Sequence, residues 1–361
     1  MHIQPTASPT ANRRQFLKTG SLALTASLLT HTRMLAQRRE QAPIGLATTA
    51  KYPETTATLQ VRNPQKIRLL QFTDLHFFCN REKYGPERDA KTEEDTRRLI
   101  ELYQPDLIAI TGDLWHDNPD GQGEAFMTHA LKHVESLGVP WLFTWGNHDQ
   151  LNDYTPGHHA LTTARHSLYR GGPQGGNYRI LLQDNQGNPL WDLLCLNTTN
   201  LGLQKQQRYW LDSIHQVYAQ QTAPPPPAFA LFHIPLLQYD YIWTEEMASG
   251  FKRENVCSDG ENGTGLSHLQ QLGNVRAMFC GHDHVNDYSG SLDGIELAYG
   301  RATGHAGYGG DTVRKGAKLI TINAETKSYA WESVFIDNQR WHPKAGFRTT
   351  DVIDAYWMRH G

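Results

Sequence analysis

Aspartate, asparagine and histidine recur in this chain as short polar clusters, each directly behind an apolar run. They are Asp74-Leu75-His76, Gly112-Asp113, Gly146-Asn147-His148-Asp149, the single His233 in Phe232-His233-Ile234-Pro235, and Gly281-His282-Asp283-His284. Imidazole and carboxylate donors without a thiolate set suit iron, zinc or manganese. One intervening residue, as in Asp74-Leu75-His76 and His282-Asp283-His284, lets two side chains leave a strand end on the same side. Glycines at 112, 146 and 281 allow tight turns and a close approach of backbone to a ligand. Each cluster alone is a weak signal, because a Gly-Asp pair is usually a turn and a strand-end histidine is usually packing. Five in succession, all behind hydrophobic runs, point to one metal site.

The elements that must position these residues follow from the apolar rhythm. Strand-like runs cover 67–72, 107–110, 141–143, 178–182, 190–196, 229–232, 275–279, 295–299 and 318–322. Helices are expected over 92–103, 123–137, 158–168 and 204–220. Thr92 followed by Asp95 reads as a helix start, and Gly138 as a stop. Trp210, Leu211, Ile214 and Val217 repeat at helical spacing and read as core. Strands alternate with helices early and dominate late. In such an α/β arrangement strand ends of one polarity share a rim, where ligands bind. No composition break interrupts 66–340, which is read as one catalytic domain. Residues 37–65 read as a linker with one edge strand, and 341–361 as a polar tail with Trp341 and Trp357 packed on the surface.

The order D-x-H, G-D, G-N-H-D, lone His, G-H-x-H resembles the calcineurin-like metallophosphoesterase superfamily over roughly residues 66–323. Within it, Gly146-Asn147-His148-Asp149-Gln150, Phe232-His233-Ile234-Pro235 and Gly281-His282-Asp283-His284-Val285-Asn286-Asp287 are similar to the purple-acid-phosphatase-related branch of plants and yeast. The resemblance implies a four-layer α-β-β-α sandwich of two mixed β-sheets. It implies two metal ions, iron, zinc or manganese, one held by Asp74, His76, His284 and a bridging Asp113. The other would be held by Asp113, Asn147, His233 and His282. It further implies hydrolysis of phosphate monoesters by in-line attack of a bridging hydroxide, with His148 at the phosphate or the leaving oxygen. Purple acid phosphatases carry a tyrosine three residues after the bridging Asp, where this chain has His116, so an iron–tyrosinate site is not expected. Phosphodiester hydrolysis, or a non-catalytic module that binds phosphorylated ligands, are the alternatives.

Several neighbours carry secondary expectations. Asp149 is a candidate to orient His148, and Asp283 and Asp287 to hold the ring nitrogens of the last histidine pair. The glycine-rich 300–310 segment would bring Arg301 and His305 toward the substrate, beside Asn147 and His148. Arg81 and Lys83 are either a phosphate contact or a solvated charge run. Residues 239–266 read as an insertion able to form a lid. Cys195 and Cys280 fall in strand-like runs and read as buried thiols. Cys79 and Cys257 fall in loops, where an oxidising compartment permits a bridge.

Asn12-Arg13-Arg14-Gln15-Phe16-Leu17-Lys18, followed by a short apolar stretch to Thr30, resembles a twin-arginine export signal. That implies the twin-arginine export machinery as a partner and a periplasmic or secreted protein. Residues 1–36 are accordingly set apart as the signal. No apolar run approaches the ~20 residues that span a bilayer, so no stable membrane anchor is expected. The chain has 34 Lys+Arg and 37 Asp+Glu, a formal charge of −3. Arg13, Arg14, Lys18 and Arg33 lie in the signal. That leaves 34 less four, or 30, basic groups against 37 acidic ones. An acidic body argues against nucleic acid as the main partner and leaves a small phosphorylated substrate.

Overall fold

A computed structural model describes residues 55–78, 81–198, 201–258, 260–310 and 312–350, the side chains of 81–85 excepted. The arginine pair, Cys79 and Trp357 lie outside the described residues, as do the side chains of Arg81 and Lys83. The elements in chain order are β1 Thr56–Gln60, β2 Ile67–Phe72, α1 Arg81–Tyr103, β3 Leu107–Thr111, α2 Gly123–Ser136, β4 Trp141–Thr144 and α3 Tyr154–Thr163. There follow β5 Tyr178–Gln183, β6 Pro189–Cys195, α4 Lys205–Ala219, β7 Ala228–Leu231, α5 Leu237–Thr244, β8 Ala248–Lys252, α6 Gly265–Gln271 and β9 Val275–Cys280. The chain continues through β10 Asn286–Leu292, β11 Ile295–Tyr299, β12 Ala317–Asn323, β13 Ser328–Val334, β14 Arg340–Trp341 and β15 Arg348–Thr349.

These strands form two mixed sheets. Nine run in the order β1-β5-β6-β7-β9-β11-β10-β8-β15, and six in the order β14-β13-β12-β2-β3-β4. In the smaller sheet β2, β3 and β4 are parallel, with Leu70 opposite Ile108 and Ile110 opposite Phe143. In the larger, β6, β7, β9 and β11 are parallel. Alternation along the larger sheet explains the layering. Leu193, Cys195, Phe229, Leu231, Ala277 and Phe279 pack in one core with β2, β3 and β4. Their sequence neighbours Leu194, Ala230 and Met278 pack in a second core with Trp210, Leu211 and Ile214 of α4 and Tyr239 of α5. Both faces are covered, so these strands read as unbroken apolar runs. Each large side chain so buried contributes about 1.5–3 kcal/mol. Cys195 and Cys280 are buried in these cores.

Several element readings are corrected. α1 begins at Arg81, not at 92, and carries Pro86 inside it. Thr92 and Asp95 are not its cap: Thr92 Oγ1 accepts from the His305 backbone N–H at 2.9 Å, and Asp95 Oδ2 lies 2.6 Å from His305 Nε2. α3 starts earlier than expected because Asp153 caps it, accepting from the Thr155 N–H at 2.8 Å. It stops where Ala164 turns extended. The segment 239–252, read as part of an insertion able to form a lid, is instead built into the body. Tyr239 and Ile242 are fully buried, and β8 pairs with β10 and β15. Trp341 is also buried, against Phe251, Val285, Val313 and Phe335. Among the described residues no helix is long and apolar enough to cross a membrane.

Candidate metal centre

The parallel strands β2, β3 and β4 of one sheet and β7 and β9 of the other end on a common rim. The turns leaving them are strained in a consistent way. Asp74, His76, Asp113 and His282 all have left-handed backbone, with φ of 57°, 50°, 53° and 77°. For non-glycine residues this costs of order 1–2 kcal/mol each. The surroundings hold it: His76 N–H donates to Asp113 O at 2.9 Å and Asp74 N–H to Gly112 O at 3.2 Å. His282 N–H donates to Asp74 Oδ2 at 3.1 Å, tying the two sheets together at the rim.

Two sets of donor atoms result, Asp74–His76–His284 and Asp113–His233–His282, each with its atoms within 4.8 Å of one another. In the first, Asp74 Oδ1 lies 3.1 Å from His284 Nε2 and 3.9 Å from His76 Nε2. The two ring nitrogens are themselves 3.1 Å apart. In the second, Asp113 Oδ2 lies 3.1 Å from His233 Nε2, which is 3.0 Å from Asn147 Oδ1 and 3.2 Å from His282 Nδ1. Asp113 Oδ2 is also 3.6 Å from His76 Nε2 in the first set.

The donor chemistry fits cations. Asp74 Oδ1 is buried and makes no hydrogen bond despite its close neighbours, an arrangement costly unless something positive completes it. The opposite ring nitrogens are occupied: His233 Nδ1 lies 2.9 Å from Thr111 O and His284 Nδ1 3.2 Å from Tyr308 O. Such contacts fix ring orientation and leave the other nitrogen for a ligand. Burial opposes ionisation of Asp74 and Asp113, but the surrounding imidazoles hold both below the usual carboxylate range. Burial also keeps His76 and His282 neutral, His282 down to about 4.

Beside these sets stands a half-buried trio of His116, Asp117 and His148. His148 Nδ1 lies 2.8 Å from Asp117 Oδ1, and its backbone N–H donates to Asp113 Oδ1 at 2.9 Å. His116 stacks on His148 at 4.4 Å between ring centroids, and its Nε2 is 3.1 Å from Asp117 Oδ2. Burial works against a charge on His148, but Asp117 and Asp113 outweigh it and raise its proton affinity.

The model of the calcineurin-like phosphoesterases matches residues 67–286, which carry all of these donors. The chain belongs to the calcineurin-like phosphoesterase family. It is therefore a hydrolase of the phosphoric-ester class. It is 28% identical over 318 residues to "probable inactive purple acid phosphatase 28" of Arabidopsis thaliana, covering 76% of this chain and 80% of that protein. It is 26% identical to the 3',5'-cyclic adenosine monophosphate phosphodiesterase CpdA of Escherichia coli, covering 64% of this chain and 74% of that one. Among solved structures, a dimetal phosphatase from Danio rerio aligns with a TM-score of 0.49 and 14% identity over 71% of this chain and 95% of that one.

Within this phosphoesterase, Asp74, His76, Asp113, Asn147, His148, His233, His282 and His284 converge. Other candidates do not join them. Arg301 is buried against Asp287, 3.2 Å from it, and donates from Nε to Arg314 O, so it is no substrate contact. His305 is committed to Asp95. Asp149 does not orient His148. Its carboxylate accepts from the backbone N–H groups of Asp113, Leu114 and Gly146 at 2.7–2.8 Å and so shapes both turns. Asp283 accepts from Tyr299 and the Cys257 N–H, and Asp287 from Lys318 and Ser333; neither holds a ring nitrogen of His282 or His284. The residue missed in the sequence is Asp117, which has no spacing signal beyond its place after Asp113.

Proposed function

We propose that residues 66–340 form the catalytic domain of an exported phosphoesterase that holds two metal ions and hydrolyses phosphate monoesters. Asp74, His76 and His284 with Asp113 would hold one ion, and Asp113, Asn147, His233 and His282 the other. One observation carries this reading: the Asp113 carboxylate lies 3.1 Å from His233 and 3.6 Å from His76, between both donor sets, as a shared ligand must. A metal pair, when bound, supplies neutralising charge for the phosphoryl oxygens and a nucleophile at neutral pH. The chain supplies the proton. Asp117 holds His148 Nδ1, which leaves Nε2 to deliver a proton to the departing oxygen. Export rests on the Arg13-Arg14 segment and places the enzyme in the periplasm or outside the cell.

A second reading, diester hydrolysis, is favoured by the similarity to a protein named as a cyclic-nucleotide phosphodiesterase. The test is elemental analysis of the exported protein, with turnover of p-nitrophenyl and bis-p-nitrophenyl phosphate before and after chelation. Close to two metal equivalents are expected, with activity lost on chelation and restored by metal. His148→Ala should lower kcat by about 10²–10⁴, and Asp113→Ala should remove metal and activity together. Unaltered turnover in both variants rejects the proposal. Metal without turnover on either ester moves the reading to a non-catalytic binding module, and faster turnover of the bis-ester moves it to diesters.

A further inference from the structure

We propose that His116 is a positioning residue that joins the metal-holding His76 to the proton-donating His148 through one line of hydrogen bonds. The inference rests on the metal-pair reading above. His76 Nε2 is the ring atom among Asp74, Asp113 and His284, so its lone pair must stay free for an ion and its proton belongs on Nδ1. That nitrogen lies 2.9 Å from His116 Nδ1, which must then be the acceptor. Accepting at Nδ1 puts the His116 proton on Nε2, 3.1 Å from Asp117 Oδ2. The other oxygen of the same carboxylate is 2.8 Å from His148 Nδ1. The His116 tautomer follows from that of His76. The Asp117 carboxylate accepts from both His116 Nε2 and His148 Nδ1, and His116 holds it in the place where it orients His148. One chain of four side chains thus joins the ligating nitrogen of His76 to the outward nitrogen of His148. Stacking at 4.4 Å and 15° fixes the His116 and His148 rings face to face. One buried group, His76, is thereby coupled to three half-buried ones: the side chains of His116, Asp117 and His148 are 25%, 38% and 32% exposed.

Two substitutions cut the line at different points. His116→Asn keeps an oxygen near Nδ1 and so the acceptor for His76, but removes the donor to Asp117. His116→Gln keeps an amide N–H near Nε2 for Asp117 and removes the acceptor for His76. Zn²⁺ affinity, from competition with a chromophoric chelator, reads the first link. The dependence of kcat on leaving-group pKa, across p-nitrophenyl and phenyl phosphate at saturating Zn²⁺, reads the second. With His116→Gln, one Zn²⁺ should bind about 10–100-fold more weakly, the usual effect of removing a ligand's outer partner, with leaving-group dependence unchanged. With His116→Asn, affinity should hold while kcat on phenyl phosphate falls about 10-fold or more relative to p-nitrophenyl phosphate, as loss of proton delivery requires. His116→Ala should show both. Thermal melts confirm that each variant is folded. Asn and Gln variants that change both readouts equally, or an Ala variant that changes neither, overturn the relay. A wild type that takes up none of Zn²⁺, Mn²⁺ and Fe²⁺ overturns the metal-pair reading itself, which separates the two failures.

Discussion

At the residue scale, left-handed backbone at Asp74, His76, Asp113 and His282 is a local penalty retained where donor atoms must converge. Three carboxylates of the rim have different tasks. Asp113 lies between two imidazole sets, Asp117 holds His148, and Asp149 gathers backbone N–H groups. Their type was legible in the sequence; their partners were not, because a carboxylate's role depends on which donors the fold brings within 3 Å. His133 shows the same principle away from the site. Its Nε2 lies 2.8 Å from Thr96 Oγ1, and Arg97 Nη2 lies 3.4 Å from Nδ1, which leaves the neutral ring favoured. Burial, reinforced by Arg97 and opposed by Glu93, lowers it from 6.5 to about 4. A pKa below the unfolded value means that folding prefers the neutral form. The contribution is full above pH 6.5 and is lost as pH falls toward 4. Urea midpoints should therefore drop across that window, and more shallowly in His133→Gln, by on the order of 2–3 kcal/mol at its lower end. Parallel curves for the two proteins would contradict this.

At the element scale, the nine apolar runs expected from the sequence all became strands, because burial on both faces leaves a continuous hydrophobic signature. β8, β10 and β13 were not read as strands. β10 reads Asn286-Asp287-Tyr288-Ser289-Gly290-Ser291-Leu292, and its first two polar residues are satisfied by other elements. Asp287 and Asn286 are buried, bonded to Lys318 and to the backbone of Arg253. Short-range pattern cannot register a polar residue whose partner is remote. The turns after the strands are the opposite case, since their glycines are required by contact. A Cβ at Gly146 would stand 2.1 Å from Asp113 Oδ1 and 2.4 Å from its backbone nitrogen. Gly146→Ala should therefore displace Asp113, with metal uptake and turnover falling together while circular dichroism keeps its native shape. Normal metal content in that variant would show that the turn can yield.

At the scale of the whole molecule, the two sheets are pinned by charge as well as by apolar packing. Lys318 of β12 donates to Asp287 of β10 at 2.9 Å with both side chains fully buried, and Ser333 of β13 adds a bond at 2.6 Å. β10 follows directly from His284, and β12 pairs with β2, which leads into Asp74. The ion pair thus spans the strands that deliver two donors of one set. Lys318→Met leaves Asp287 buried with Arg301 as its remaining cation and should destabilise the fold by about 3 kcal/mol in chemical denaturation, typical of a broken buried pair. A change within about 0.5 kcal/mol, the range of surface substitutions, would show that Arg301 suffices. The sequence by itself determined the donor types, their order and the strands behind them, because those depend on residues adjacent in the chain. Only the tertiary structure decided that Asp117 and not Asp149 serves His148, that Arg301 and His305 are occupied elsewhere, and that 239–252 belongs to the body. Each of those outcomes turns on a hydrogen bond or ion pair closed between distant segments, and its energy depends on distance in space, which separation along the chain does not encode.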